Sequence, residues 1–338
     1  MGRRGGPVAF VLSGGGSLGA VQVGMLRALY ERGIVPDLLV ATSAGAINAA
    51  FIASRPPNVA TADELAEVWR AIRRSDVFPA HPLAGFLGFL GHRNSLVPNS
   101  GLRSLLERHV KIRRLEEAAV PLHVIAAEVL SGRERRLSHG DAIAAVLASA
   151  AIPAVLPPVR WGDEELIDGG ISNNTPISHA LDLGAEEVYV LSAGYACQLN
   201  VPPRGALGMM LHALTLLIQQ RLVRDIESFK GRARLVVLPP PCPLDVNPAD
   251  FSRAAHLIER AMTEARRLLT GSASWSRDYR PPHGRRLSTD EDRSFPRSMS
   301  PYRPQSPAVA KYEESAAACV SSAPRGWQSS GSSYPACR

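Results

Sequence analysis

Short apolar runs alternate with amphipathic stretches along most of this chain, and the alternation predicts its elements. Residues 7–12 form an apolar, partly β-branched run that ends at Ser13-Gly14-Gly15-Gly16-Ser17-Leu18-Gly19. Behind it, residues 20–32 carry Val21, Met25, Leu26 and Leu29 at helical spacing, with Gly33 as a stop signal. The reading is strand, glycine loop, helix. Residues 37–42 make a second strand around Leu38-Leu39-Val40, and residues 44–54 an alanine-rich helix ended by Pro56-Pro57. Further strands are predicted over 122–128, 164–167, 187–191 and 235–238. Further helices are predicted over 62–74, 101–110, 142–150, 175–183, 206–229 and 249–269. Strands alternating with helices in this way predict an α/β fold with a mostly parallel central sheet and helices on both faces.

Composition adds bounds to this pattern. The chain has 338 residues, 45% hydrophobic and 20% charged, enough for one large domain or two small ones with a proper core. From residue 271 onward it is rich in Ser, Pro, Arg and Gly without periodicity, which predicts a disordered C-terminal tail. Residues 79–91 (PAHPLAGFLGFLG) are apolar and glycine-broken, and read as a buried loop or as an apolar flap beside a site. No apolar run reaches the roughly 18 residues of a membrane span. The positive N-terminal start is followed by an apolar run too short for a signal peptide. A cytoplasmic protein is expected, with membrane contact at most peripheral. The cysteines Cys197, Cys242, Cys319 and Cys337 show neither paired nor metal-like spacing. The net charge of +7 rests on arginine, only three basic residues being lysine, and reads as a compositional bias. It could favour anionic partners, but no nucleic-acid partner is expected.

Candidate chemistry sits at the ends of the strands. Ala41-Thr42-Ser43-Ala44-Gly45 lies where the second strand passes into the second helix. A serine on so sharp a turn is exposed at the carboxyl end of its strand, the geometry of a nucleophile elbow, with Ala41 in the place of the usual first glycine. The alternative for Ser43 is a helix N-cap. The glycine loop matches G-x-G-x-x-G after a strand and before a helix, so a dinucleotide site is its rival reading. That site would want an acidic residue at the carboxyl end of the second strand. Asp37 has nearly the right offset but lies at the start of that strand, and Thr42-Ser43 stands at the correct edge. If the first two strands are neighbours, the N–H groups of the loop can instead face an oxygen that becomes negative when Ser43 attacks an ester. Asp168, flanked by Gly169 and Gly170 after a strand, is the candidate base; the alternative is an ordinary turn aspartate. A free Asp, with a pKa of about 3.9, is a poor base and would need hydrogen-bond range and partial desolvation. None of the nine histidines stands in an obvious triad pattern, and His179 reads as a helix-face residue.

Three segments taken together resemble the patatin-like phospholipase family: Gly14 to Gly19, Ala41 to Gly45, and Asp168-Gly169-Gly170-Ile171-Ser172-Asn173-Asn174-Thr175-Pro176. Ala148-Ser149-Ala150-Ala151-Ile152-Pro153 is similar to the family's segment ahead of the aspartate. The resemblance covers residues 8–191, the expected catalytic domain, and weakens over 192–270, expected to complete it; the tail, 271–338, resembles nothing. It implies a three-layer α/β/α sandwich and a Ser43–Asp168 dyad without histidine. It also implies an oxyanion hole drawn from Gly14, Gly15, Gly16, Ser17 and Gly19, supported by Ala41, Gly45, Gly169 and Gly170, and no metal or cofactor. The implied substrate is a lipid or other acyl ester. Leu18 stands where many members carry Arg or Lys. The alternative function is a lipid-binding or regulatory protein with a vestigial dyad.

Overall fold

The computed structural model describes residues 6–79, 94–193, 206–229, 231–242 and 246–270. The predicted tail, and all of the 79–91 stretch except Pro79, lie outside the described residues. Eight strands form one sheet: β1 (Val8–Leu12), β2 (Leu38–Thr42), β3 (Leu122–Glu128), β4 (Glu134–Leu137), β5 (Val159–Trp161), β6 (Glu164–Asp168), β7 (Glu187–Leu191) and β8 (Arg234–Leu238). The parallel part runs β3-β2-β1-β7-β8, with β1 between β2 and β7. Its inner strands are buried on both faces, which is why they read as unbroken apolar runs rather than alternating ones. The strands β4, β5 and β6 run antiparallel to their neighbours.

Helices cover both faces. One layer consists of α1 (Ala20–Tyr30), α2 (Ala44–Ala53), α3 (Val59–Ala71), the short α4 (Arg74–Val77), α5 (Ser100–His109), α6 (Ala142–Ser149) and α10 (Ala254–Thr270), which pack against one another. On the other face lie α7 (Gly170–Asn173), α8 (Ile177–Asp182), which crosses β1, β2 and β7, and α9 (Ala206–Ser228), whose Arg221 pairs with Glu134 beside His179 of α8. The result is a three-layer sandwich. Helices α1 and α10 cross closely: a Cβ at Gly24 would stand 2.2 Å from the Ile258 carbonyl oxygen, so only glycine permits the approach.

Several boundaries differ from the sequence reading. Helix α3 begins at Val59 rather than 62, because the Asn58 side chain caps it by accepting from Thr61 N at 3.0 Å. The last helix begins at Ala254 rather than 249: Asn247 and Asp250 accept from Ala249 N and Ser252 N, and these side-chain turns hold the chain out of helix. The helix expected over 175–183 is shorter, α8 spanning Ile177–Asp182, and the single turn of α7 precedes it. Strands β4 and β5 have no counterpart in the sequence reading; β4 is Glu-Arg-Arg-Leu, a polar edge strand, and β5 has three residues. Cys242 is disulfide-bonded, which the spacing of cysteines along the chain could not indicate.

The register of β3 brings two distant segments together. Ile125 pairs with Thr42 of β2 on one side and Arg136 of β4 on the other, while Ala126 pairs with Arg135 of β4 and Asp168 of β6. Since β4 keeps one side of β3, β2 and β6 share the opposite side and meet end to end there. The carboxyl end of β2 thus abuts the carboxyl end of β6, and Ser43 follows directly on the first as Asp168 closes the second.

Candidate active site

Ser43 occupies the turn from β2 into α2 with φ 55° and ψ −123°, one of only two non-glycine residues with positive φ among those described. Such a conformation costs of order 1–3 kcal/mol and persists only where neighbours enforce it. Here the enforcement is specific. Ser43 N donates to Ser149 Oγ at 2.8 Å, and Ser149 Oγ donates to the Ile125 carbonyl at 2.6 Å. The turn is tight enough that a Cβ at Gly45 would lie 2.3 Å from the Leu12 carbonyl oxygen. Ala41, in the first elbow position, is fully buried in the sheet, where its methyl is accommodated.

The Ser43 hydroxyl does not cap α2. It donates instead to Asp168 Oδ2 at 2.6 Å, and the other carboxylate oxygen accepts from Gly170 N at 2.7 Å. Asp168 is 6% exposed and Ser43 7%. Burial pushes the Asp168 carboxyl up to about 6, against the lowering pull of its bonds from Ser43 and Gly170. Gly169 is required by close approach, its Cβ position lying 2.3 Å from the Ile125 carbonyl oxygen. A carboxylate of raised basicity, at hydrogen-bond range of a hydroxyl, can accept that hydroxyl's proton.

The glycine loop lies beside this pair: a Cβ at Gly14 would come within 3.0 Å of the Ser43 Cβ and 2.4 Å of Asn174 Oδ1. Its N–H groups are not equivalent. Gly14 N donates to the Asn174 carbonyl at 3.2 Å and Ser17 N to the Pro248 carbonyl at 2.8 Å, so both are committed within the protein. Gly19 closes the 3₁₀ turn Gly16–Gly19, where it is packed close to Ala44 and Trp69. Gly15 N and Gly16 N have no partner among the described residues. Gly16 adopts φ +59° with the Pro248 carbonyl 2.6 Å from its Cβ position, so no side chain fits there.

A narrow apolar pocket of ≈ 50 Å³ opens at Ser43 and Gly16 and is walled by Ile47, Trp69, Ile72, Leu105, Ile152 and Phe251. His179 is not part of this arrangement; it lies on α8 in the far helix layer, its Nε2 3.0 Å from Glu134 of β4. Asp37 accepts from Val8 N at the amino ends of β1 and β2, on the edge opposite the glycine loop, as the sequence argument against a dinucleotide site required. Among the described residues no group of three His, Cys, Asp or Glu side chains could hold a metal ion.

Sequence reasoning assigned no role to two residues that the structure brings to the site. Ser149 pins the Ser43 backbone, and Asn174 exchanges backbone and side-chain bonds with Gly14. Both lay within motif segments, and the signal that could have singled them out was a polar side chain among small or apolar neighbours.

A sheet carrying a strained serine at the carboxyl end of one strand, hydrogen-bonded to an aspartate at the end of another beside a glycine loop, defines a class of α/β protein with a serine–carboxylate pair. The patatin-like phospholipase family model matches residues 10–181, half of the chain, and the chain belongs to that family. It is 29% identical over 195 residues to patatin-like phospholipase domain-containing protein 7 of Mus musculus, covering 56% of this chain and 14% of that protein. With lysophospholipase NTE1 of Mycosarcoma maydis it shares 27% over 195 residues, 55% of this chain and 10% of the relative. An NTE family protein of Mycobacterium tuberculosis matches at 27% over 245 residues, 69% and 40%. The chain therefore spans less than half the length of each of these relatives. Among solved structures, VipD from Legionella pneumophila aligns with a TM-score of 0.39 at 14% identity, covering 77% of this chain and 66% of that one. Among the described residues no helix is long and apolar enough to cross a membrane.

Proposed function

We propose that this protein is a serine acyl hydrolase that cleaves carboxylic esters of lipids, with Ser43 as nucleophile and Asp168 as proton acceptor. The observation that carries the reading is the 2.6 Å bond from Ser43 Oγ to Asp168 Oδ2, made by a serine held at φ 55° on a strand-to-helix turn. Asp168 takes the hydroxyl proton as Ser43 Oγ attacks the ester carbonyl. The carbonyl oxygen becomes an oxyanion facing Gly15 N–H and Gly16 N–H at the start of a helical turn, donors of the kind worth about two to three orders of magnitude in rate. Collapse breaks the ester C–O bond, and the departing alkoxide takes the proton from Asp168. Water then attacks the acyl-serine, giving its proton to Asp168, and Ser43 recovers it as the fatty acid leaves.

The apolar lining of the pocket beside Ser43 suits the first methylenes of an acyl chain, and the buried carboxylate suits a base working near neutral pH. The test is labelling with a fluorophosphonate probe, wild type beside Ser43→Ala. Labelling lost in the variant alone is the expected result. A folded wild type that takes no label would overturn the nucleophile assignment and leave a lipid-binding protein with a vestigial dyad.

A further inference from the structure

Three polar side chains pack together behind the glycine loop, one from each of three successive helices: Gln22 on α1, Asn48 on α2 and Trp69 on α3. Gln22 and Asn48 have no solvent exposure and Trp69 has 4%. Burying two amides in an apolar helix layer is costly unless every hydrogen bond is made. Here the amides' bonds are made. Trp69 Nε1 donates to Asn48 Oδ1 at 2.8 Å. Asn48 Nδ2 donates to the Gly19 carbonyl at 3.0 Å and to Gln22 Oε1 at 2.8 Å. Gln22 Nε2 donates to the Ser13 carbonyl at 2.8 Å and to the Leu191 carbonyl at 3.0 Å.

The carbonyls at the end of this chain are informative. Ser13 and Gly19 are the two ends of the glycine loop, and Leu191 is the carboxyl end of β7 against which the loop starts. At its other end the network terminates in Trp69, whose ring lines the apolar cavity at Ser43 and stacks on Phe251 with centroids 6.2 Å apart. A core that needed only to be filled would use apolar side chains at these positions. A directional, fully satisfied network is what holds a loop in one conformation.

We infer that Gln22, Asn48 and Trp69 act together as positioning residues: they clamp both ends of the glycine loop and tie it to the wall of the acyl cavity, fixing where the Gly15 and Gly16 N–H groups point. The catalytic consequence rests on the hydrolase reading above; the clamp itself does not. Misplacing a preorganised donor by an ångström typically costs about two orders of magnitude. Asn48→Leu keeps the volume and removes the hub, leaving the Trp69 N–H and Gln22 Oε1 without their partner and the Gly19 carbonyl with only its helical bond. Trp69→Phe keeps an aromatic wall and removes one donor.

The experiment measures amide hydrogen exchange across residues 13–19 in the full chain of wild type, Asn48→Leu and Trp69→Phe. It adds kcat and KM on a soluble acyl ester and thermal melting as a control for folding. The expected result is faster exchange confined to the loop in both variants, larger in Asn48→Leu. With it, kcat should fall by about one to two orders of magnitude while KM stays within a few-fold. Loop exchange unchanged in folded Trp69→Phe would overturn the clamp. Faster loop exchange with unchanged kcat would overturn its role in catalysis. A folded wild type without turnover on any ester would sink the hydrolase reading and with it that role, while exchange still decides the clamp. If Asn48→Leu fails to fold, the same outcomes are read from Trp69→Phe.

Discussion

Replacing Asp168 by asparagine should stabilise the fold, and the pH dependence of the stabilisation follows from the environment of this one carboxyl. Burial raises Asp168 from 3.8 to about 6 in the folded protein. The sign follows from linkage. Below pH ~4 the group is protonated in both states and carries no ionic penalty. As pH rises from about 4 to about 6, the unfolded chain releases its proton while the folded chain holds it, so stability is lost over that window. Above about 6 the loss is complete and constant. A difference of about two pKa units corresponds to about 3 kcal/mol, an order-of-magnitude figure. The neutral amide of the variant carries no such penalty, and its oxygen can still accept from Gly170 N. Urea denaturation of wild type and Asp168→Asn at intervals from pH 4 to pH 8 reads the difference directly. The expected curve widens in favour of the variant between about 4 and 6 and is flat above. On the proposed mechanism, the same substitution lowers kcat by about two to four orders of magnitude. A stability difference independent of pH would refute the claim that Asp168 is ionised at a cost.

Other predictions follow from the same geometry. On the proposed mechanism the base must be ionised, so log(kcat/KM) should rise with unit slope on the acid side and level off near pH 6, to which burial raises Asp168; a limb near pH 4 would show an unperturbed carboxyl. Ser149→Ala leaves the buried Ser43 N–H and Ile125 carbonyl without the hydroxyl that links them. It should cost about 1–3 kcal/mol in denaturation and lower kcat far more than it changes KM. Gly45→Ala forces a methyl to 2.3 Å from the Leu12 carbonyl oxygen and should destabilise by about 1–3 kcal/mol with loss of activity. Ala41→Gly, which restores the usual elbow glycine, should leave turnover essentially unchanged and cost about 1–2 kcal/mol, since it removes a buried methyl and adds chain entropy; a large gain in kcat would mean that Ala41 distorts the elbow.

The local record of this fold is written in the chain. Apolar runs mark β1, β2, β3 and β7, broken only by His123 inside β3 and by polar residues at strand ends, because a parallel strand buried on both faces needs no polar alternation. The glycine stretch, the small residues around Ser43 and the Asp-Gly-Gly turn are visible for a similar reason. Each answers a steric demand at its own position: Gly45 against Leu12, Gly169 against Ile125, Gly16 against Pro248. Polar β4, three-residue β5 and the late start of α10 escaped, since an edge strand lacks a hydrophobic pattern and side-chain turns compete with helix locally.

What no local pattern could supply is which ends meet. Ser43 and Asp168 stand 125 positions apart, and they touch because β2 and β6 share one side of β3 and run into each other there. The commitment of Gly14 N and Ser17 N to Asn174 and Pro248, leaving Gly15 and Gly16, depends likewise on segments far along the chain. So do the roles of Ser149, Asn174 and the buried amides of Gln22 and Asn48. The periodicity of a sequence reports the surroundings of each residue one element at a time. Strand register and hydrogen-bond partners are set when the whole sheet closes, and in this protein those pairings decide which residues form the site.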